Sequence, residues 1–108
     1  MPWLDYLAWF FGGAFFANTI PHLVAGISGR PFQSPFAKPP GVGLSSSTLN
    51  VVWGLINLVI AYLLLVRVGS FDIHDLGAIL PSGIGFGLMA LAVGRRFGRY
   101  HGGNTPPA

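Results

Sequence analysis

Apolar residues in this chain fall into three long runs, and the two gaps between them differ sharply in character. Leu4 to Ile27, Leu49 to Val66 and Leu76 to Val93 are each 18 residues or longer, with one acid at the edge of the first and no other charge. That is the length at which an apolar segment crosses a hydrocarbon core of about 30 Å. At about 1.5 Å per residue, the second and third runs reach roughly 27 Å and the first roughly 36 Å. The first must therefore tilt, bend or protrude. Pro21 supplies a bend, because it lacks a backbone donor and its ring crowds the carbonyl of Ala17. The expected architecture is an all-α integral membrane protein, a single domain over 1–108. It has three transmembrane helices (4–27, 49–66, 76–93), a Pro/Phe-rich cytoplasmic loop over 28–48, and a cytoplasmic tail over 94–108.

Helix starts are visible in the polar residues before two of the runs. In "SSSTLN", Ser47 or Thr48 is placed to cap the second helix. In "DIHDL", Asp72 stands at a cap position with Asp75 three residues on, a box-like start for the third. Pro81 predicts a kink near the start of that helix. The closing "HGGNTPPA" predicts an unstructured end. The N-terminal "MPWLDYLAWFFGG" has no basic leader and continues past signal-peptide length, so it reads as a retained first span.

Polar residues within the apolar runs form two stripes. Asn18 and His22 are four apart, on one face of the first helix. Asn50, Gly54, Asn57 and Ala61 follow a 4-3-4 spacing on one face of the second. Counted from the loop ends, Asn18 and Asn57 both lie about 13 Å deep, and His22 about 7 Å, level with Trp53 and Gly54. Small and polar stripes face protein rather than lipid, so Asn18 is expected near Asn57, and His22 near Trp53 or Gly54. On the third helix Gly83, Gly87, Ala90 and Gly94 line one face, a small-xxx-small surface for helix contact within the bundle or between copies. Gly12, Gly13 and Ala17 give the first helix a weaker version. Three short helices leave small faces over, so a homo-oligomer or larger membrane complex is expected.

Composition sharpens the class. Only 8% of residues are charged and 52% are hydrophobic, against about 25% charged in a soluble domain. Cysteine is absent, which removes disulfides, thiolate metal ligands and thiol nucleophiles. Arg30, Lys38, Arg95, Arg96 and Arg99 fall on one side of a three-span chain and Arg67 alone on the other. The positive-inside rule then predicts the loop and C-terminus in the cytoplasm and the N-terminus outside, as in a bacterial inner (plasma) membrane. Trp3, Tyr6 and Trp9 predict an outer aromatic belt, and Phe97 and Tyr100 an inner one. The three arginines Arg95, Arg96 and Arg99 beside a membrane end are better explained by topology than by nucleic-acid binding, so no nucleic-acid partner is expected.

Chemistry is sparse. The residues show no nucleophile, base and acid set, no phosphate-cradling loop and no metal spacing, with His22, His74 and His101 expected at three depths. No catalytic or metal site is predicted, no cofactor is required, and the reading leans away from an enzyme. Two accounts of the intramembrane polar residues stand side by side. In one they are interhelical hydrogen bonds worth about 0.6 kcal/mol each and up to about 1.7. In the other, His22, Asn18, Asn50, Trp53 and Asn57 line a pocket in the inner half of the bilayer, with Arg30 or Lys38 as anion anchor and the loop as a lid. Its ligand would be a quinone, a tetrapyrrole or an isoprenoid lipid. The leading functional expectation is a small subunit or assembly component of a membrane complex. A redox or lipid-modifying component is second, and an oligomeric transporter third, disfavoured because every acid stands at an outer edge.

Overall fold

Each apolar run becomes a helix; three of the six helix ends coincide with the ends of the runs, and the other three extend beyond them. The computed structural model describes residues 2–107. Its elements, in order, are α1 (Pro2–Ile27), β1 (Phe32–Gln33), β2 (Leu44–Ser45), α2 (Ser47–Val66) and α3 (Leu76–His101). All three helices are long and apolar enough to cross a membrane. α1 continues through Pro21 and α3 through Pro81.

The cap of α2 is Ser46, one residue before the expected Ser47 or Thr48; its side chain accepts from the Leu49 amide at 3.1 Å. Asp75 alone caps α3, accepting from Gly77 N at 2.9 Å. Asp72, expected to share that role, instead closes a turn by accepting from the backbone N–H of His74 at 2.9 Å. A larger correction concerns α3, which runs eight residues past Val93 through the arginines. Arginine is a good helix former, so loss of hydrophobicity at Gly94 ends the apolar run and not the helix. Gly102 closes it at φ 79°, a left-handed cap that suits glycine. The tail expected to be unstructured folds back: Asn104 Nδ2 donates to Arg95 O at 2.8 Å.

α1 lies between the other two helices, and α2 and α3 scarcely touch one another. Small residues on both sides of α1 make this possible. Toward α3, Gly13 meets the backbone at Ser82 and Gly85 meets the backbone at Phe10, so a methyl at either would overlap a carbonyl oxygen. Toward α2, Gly12 lies beneath Leu64 and Leu65, Leu23 covers Gly54, and Gly26 abuts Ser47 and Val51. Ala61 and Ala78 are buried in the same seams. Within one chain, then, the close approach of α3 uses Gly85, and not Gly83, Gly87, Ala90 and Gly94. A Cβ on any of those three glycines meets open space, and Ala90 is exposed. Gly85 is two residues from Gly83 and Gly87, about 200° around the helix, so α3 turns its other side to α1.

The ends of the bundle are tied differently. At one, the indole of Trp9 donates to Val68 O at 3.0 Å and packs edge-on against Phe71. Trp9 is thus buried rather than part of an aromatic belt, while Trp3 and Tyr6 are exposed. At the other end, residues 28–46 fold back over the bundle. β1 and β2 pair antiparallel, Phe32 opposite Ser45 and Gln33 opposite Leu44. Ser34 holds the hairpin, its hydroxyl 2.6 Å from that of Ser45 and its carbonyl accepting from Gly41 N at 2.8 Å.

Candidate functional site

Asn50 is the hub of the loop end. It sits one turn into α2, is fully buried, and touches three parts of the chain. Its Nδ2 donates to the carbonyls of Phe32, Ser45 and Ser46 at 3.1, 3.2 and 3.1 Å. Its Oδ1 lies 2.7 Å from Nδ1 of His22. The carbonyls can only accept, so Nδ2 must be the atom facing them and Oδ1 must face the histidine. His22 therefore donates from Nδ1, and in the neutral ring Nε2 is left as a lone-pair acceptor.

One turn deeper, Asn18 Nδ2 donates to Asn57 Oδ1 at 3.0 Å, and Asn57 Nδ2 donates to Trp53 O at 2.8 Å. Both stripes thus meet at the α1–α2 seam. Trp53 stands between these levels, its ring centroid 6.3 Å from that of His22. Its indole N–H is buried and has no partner, the single such side-chain atom among the described residues. A buried donor without an acceptor costs on the order of 1–3 kcal/mol.

Because α2 and α3 diverge, a cleft opens between them with α1 as its floor. A cavity of about 320 Å3 occupies its loop end, lined by Asn18 and His22 from α1, Trp53 from α2, and Val93, Arg96 and Phe97 from α3. Gln33, Ser34, Pro35, Pro40 and Gly41 roof it. Arg96 donates to Gly41 O at 3.2 Å, joining α3 to the roof. Phe36 packs edge-on against Trp53, centroids 5.1 Å apart, so this phenylalanine lies back over the bundle.

An aromatic cluster closes the other flank. His22, Phe32 and Phe97 meet edge to face, Phe32 and Phe97 at 4.6 Å, and His101 stacks on Phe32 at 5.0 Å. His101 Nε2 is 2.8 Å from Gln33 Oε1. His22 and His101 thus sit on either side of one phenylalanine, although the sequence placed them at separate depths and His101 in a loose tail. His74 is at the far end, exposed beside Asp72.

Of the residues singled out from sequence, His22, Asn18 and Trp53 line this cavity, with Asn50 and Asn57 bonded behind them. Gly54 and Ala61 are buried at the α1–α2 seam. Arg30 is elsewhere, exposed on a separate groove with Pro31 and His101, and Lys38 is exposed on the loop. The basic residue at the cavity is Arg96 instead. Sequence reasoning did not place Arg96 and Phe97 at the cavity, because it ended the third helix at Val93, nor Gln33 and Ser34, because the fold-back of the loop has no local signature. Extending the helical period would have placed Phe97 four residues from Val93 on the same face. Among the described residues, no three His, Cys, Asp or Glu side chains gather as metal ligands. Asp5 lies in the first turn of α1 and Asp72 and Asp75 precede α3, and none of them lines the cavity, which holds neutral polar groups and one guanidinium. No family model matches this chain, and no curated protein or solved structure is significantly similar to it.

Proposed function

We propose that the chain is a three-span integral membrane protein, with its N-terminus outside and the 28–46 loop and C-terminus in the cytoplasm. Its role in this reading is that of a small subunit or assembly component, packing against copies of itself or other membrane helices. The observation that carries the reading is the coverage of α3. Only Ala78, Gly85 and Gly98 of its 26 residues are buried, while Leu80, Ile84, Leu88 and Leu91 are exposed. Exposed apolar residues also cover α1 (Phe16, Ile20, Val24) and α2 (Leu55, Ile56, Val59). Contiguous apolar surface on this scale is costly in water and normal in lipid. The open glycines Gly83, Gly87 and Gly94 leave room for another backbone to approach α3.

The absence of cysteine makes the test direct. Single cysteines at Ser70 and Gly103 report the two ends, and one at Gly87 reports the open face. The reading requires that a membrane-impermeant maleimide label Ser70→Cys in intact cells and Gly103→Cys only after permeabilisation. It also requires that Gly87→Cys crosslink to another chain in native membranes. The reverse labelling pattern overturns the orientation, and a Gly87→Cys chain that never crosslinks overturns the packing role.

A second reading is favoured by one observation, the cavity of about 320 Å3 lined by Asn18, His22 and Trp53 under the loop. In that reading the protein holds a small amphiphile beneath its loop.

A further inference from the structure

We propose that the groove between α1 and α3 at the loop end binds one phospholipid of net negative charge, with an acyl chain along the groove and the phosphate at Arg30. The inference rests on the membrane-embedded reading above, in which this end of the bundle faces the cytoplasmic leaflet.

The groove arises where two helices part. α1 and α3 meet backbone to backbone at Gly13 with Ser82 and at Gly85 with Phe10. Just beyond, Phe16 and Phe86 pack with ring centroids 5.8 Å apart. Toward the loop end a Cβ on Gly94 would meet open space. There a cavity of about 600 Å3, almost wholly apolar, lies between Ala17, Ile20 and Val24 of α1 and Ala90, Gly94 and Gly98 of α3. Its α3 wall runs from Phe86 to His101, about 22 Å at 1.5 Å per residue. That is about half of a bilayer measured through its head-group regions, about 40–45 Å. The groove therefore fits a chain belonging to one leaflet. A crossing helix would outrun it, because the backbone contact at Gly13 closes its far end. Gly83 and Gly87 do not line it, so a lipid here leaves that part of α3 open to another helix.

The head group is selected at the loop end. A second cavity adjoins the groove there and shares Pro21, Val24, Phe32 and His101 as walls. Arg30 lines this second cavity and is exposed. Local backbone geometry fixes where Arg30 stands. Arg30 N donates to Ala25 O at 2.9 Å and Gly29 N to Gly26 O at 3.1 Å, with Gly29 at φ 73°. These are the paired bonds of a Schellman turn, and Pro31 then holds Arg30 to extended backbone. Arg30 thus leaves α1 at interfacial depth, and its long stem lets the guanidinium reach a phosphate that the acyl chain delivers to that level. Net charge follows from the rest of this end. Lys38, Arg95, Arg96 and Arg99 belong to it, whereas Asp5, Asp72 and Asp75 all lie at the other. A zwitterionic head group would bring an ammonium among cations with no carboxylate side chain to receive it; a net anion meets only attraction.

The experiment uses the full chain in a neutral detergent at about 0.15 M salt, where exposed charges more than about 8 Å apart are screened. Native mass spectrometry counts bound lipid during titration with dioleoyl phosphatidylglycerol or dioleoyl phosphatidylcholine. The expected result is one saturable phosphatidylglycerol per chain, bound at least about fivefold more tightly than phosphatidylcholine. Arg30→Gln should weaken it about tenfold, and Arg30→Lys, which keeps the charge, by less. Ala90→Phe, which sets a ring in the groove, should also weaken it. Arg99→Gln removes an exposed arginine that lines neither cavity and should change affinity less than about twofold. Arg30, Ala90 and Arg99 are all exposed, so thermal melting in lipid-free detergent should match the wild type, which separates lost binding from misfolding. Equal affinity for the two lipids overturns the charge assignment. Equal losses in Arg30→Gln and Arg99→Gln replace the site with diffuse attraction. Wild-type binding by Ala90→Phe, or displacement of the lipid by glycerophosphoglycerol without acyl chains, overturns the role of the groove. If Ala90→Cys crosslinks between chains in native membranes, a second copy occupies the groove and the lipid does not. No saturable lipid, in a chain that requires detergent for extraction, overturns the site and leaves the membrane reading standing. A chain that needs no detergent overturns both.

Discussion

Replacing Asn50 by alanine should release the loop from the bundle, and the structure sets how much this costs. The side chain has 0% exposure and makes contacts at 2.7 Å with His22 and at 3.1–3.2 Å with three carbonyls. Nδ2 has two hydrogens, so the three carbonyls share two bonds, and with the bond from His22 three are lost. Ser46 O keeps its helical bond from Asn50 N at 3.0 Å; Phe32 O, Ser45 O and His22 Nδ1 lose this partner. At about 0.6–1.7 kcal/mol per such bond in a membrane protein, Asn50→Ala should destabilise by about 2–5 kcal/mol. Unfolding by SDS titration in bicelles measures it. A double-mutant cycle with His22→Phe isolates the 2.7 Å contact, with an expected coupling of about 1 kcal/mol. Loop release has its own readout. Arg30 and Lys38 each precede proline, so trypsin is silent there, and chymotrypsin is the protease to use. Phe36 is exposed, whereas Phe32 is packed between His22, Phe97 and His101. Cleavage after Phe32 should be slow in the wild type and fast in Asn50→Ala. If the stability changes by less than about 0.5 kcal/mol, within the range of neutral surface substitutions, and Phe32 stays protected, Asn50 does not clamp the loop.

Two further outcomes concern the helices. Gly85→Ala places a methyl against the Phe10 carbonyl, which cannot move aside as a side chain would, and should cost about 1–3 kcal/mol or more by overpacking. Gly87→Ala, with open space at its Cβ, should leave the stability of the single chain within about 0.5 kcal/mol; both are read by the same SDS titration. Asp75→Ala should cost about 0.5–2 kcal/mol through loss of the α3 cap, and Asp72→Ala clearly less, since Asp72 bonds only within its own turn.

Much of the architecture was readable because it depends on local quantities. Run length and the near absence of charge suffice for three helices long and apolar enough to cross a membrane. The asparagine and histidine spacings fix which residues share a face, and that is enough to bring Asn18 to Asn57 and His22 to the level of Trp53. Other features had no local signature. α3 carries small residues on two sides, Ala78 and Gly85 on one and Gly83, Gly87 and Gly94 on the other. Spacing favoured the more regular stripe, and only the reciprocal fit of Gly13 and Gly85 against opposing carbonyls decided the rotation. Asn50 looks from sequence like one more member of a stripe. Its standing as hub arises from the fold-back of a loop that brings carbonyls 18 and 5 residues away to one amide. The cavity belongs wholly to tertiary structure. It exists because α2 and α3 each pack on α1 and not on each other, because the arginine segment stays helical, and because the 28–46 loop folds back over its end. Hydrophobic patterning reports which residues leave water; it does not report which polar atoms remain unpaired once they have left.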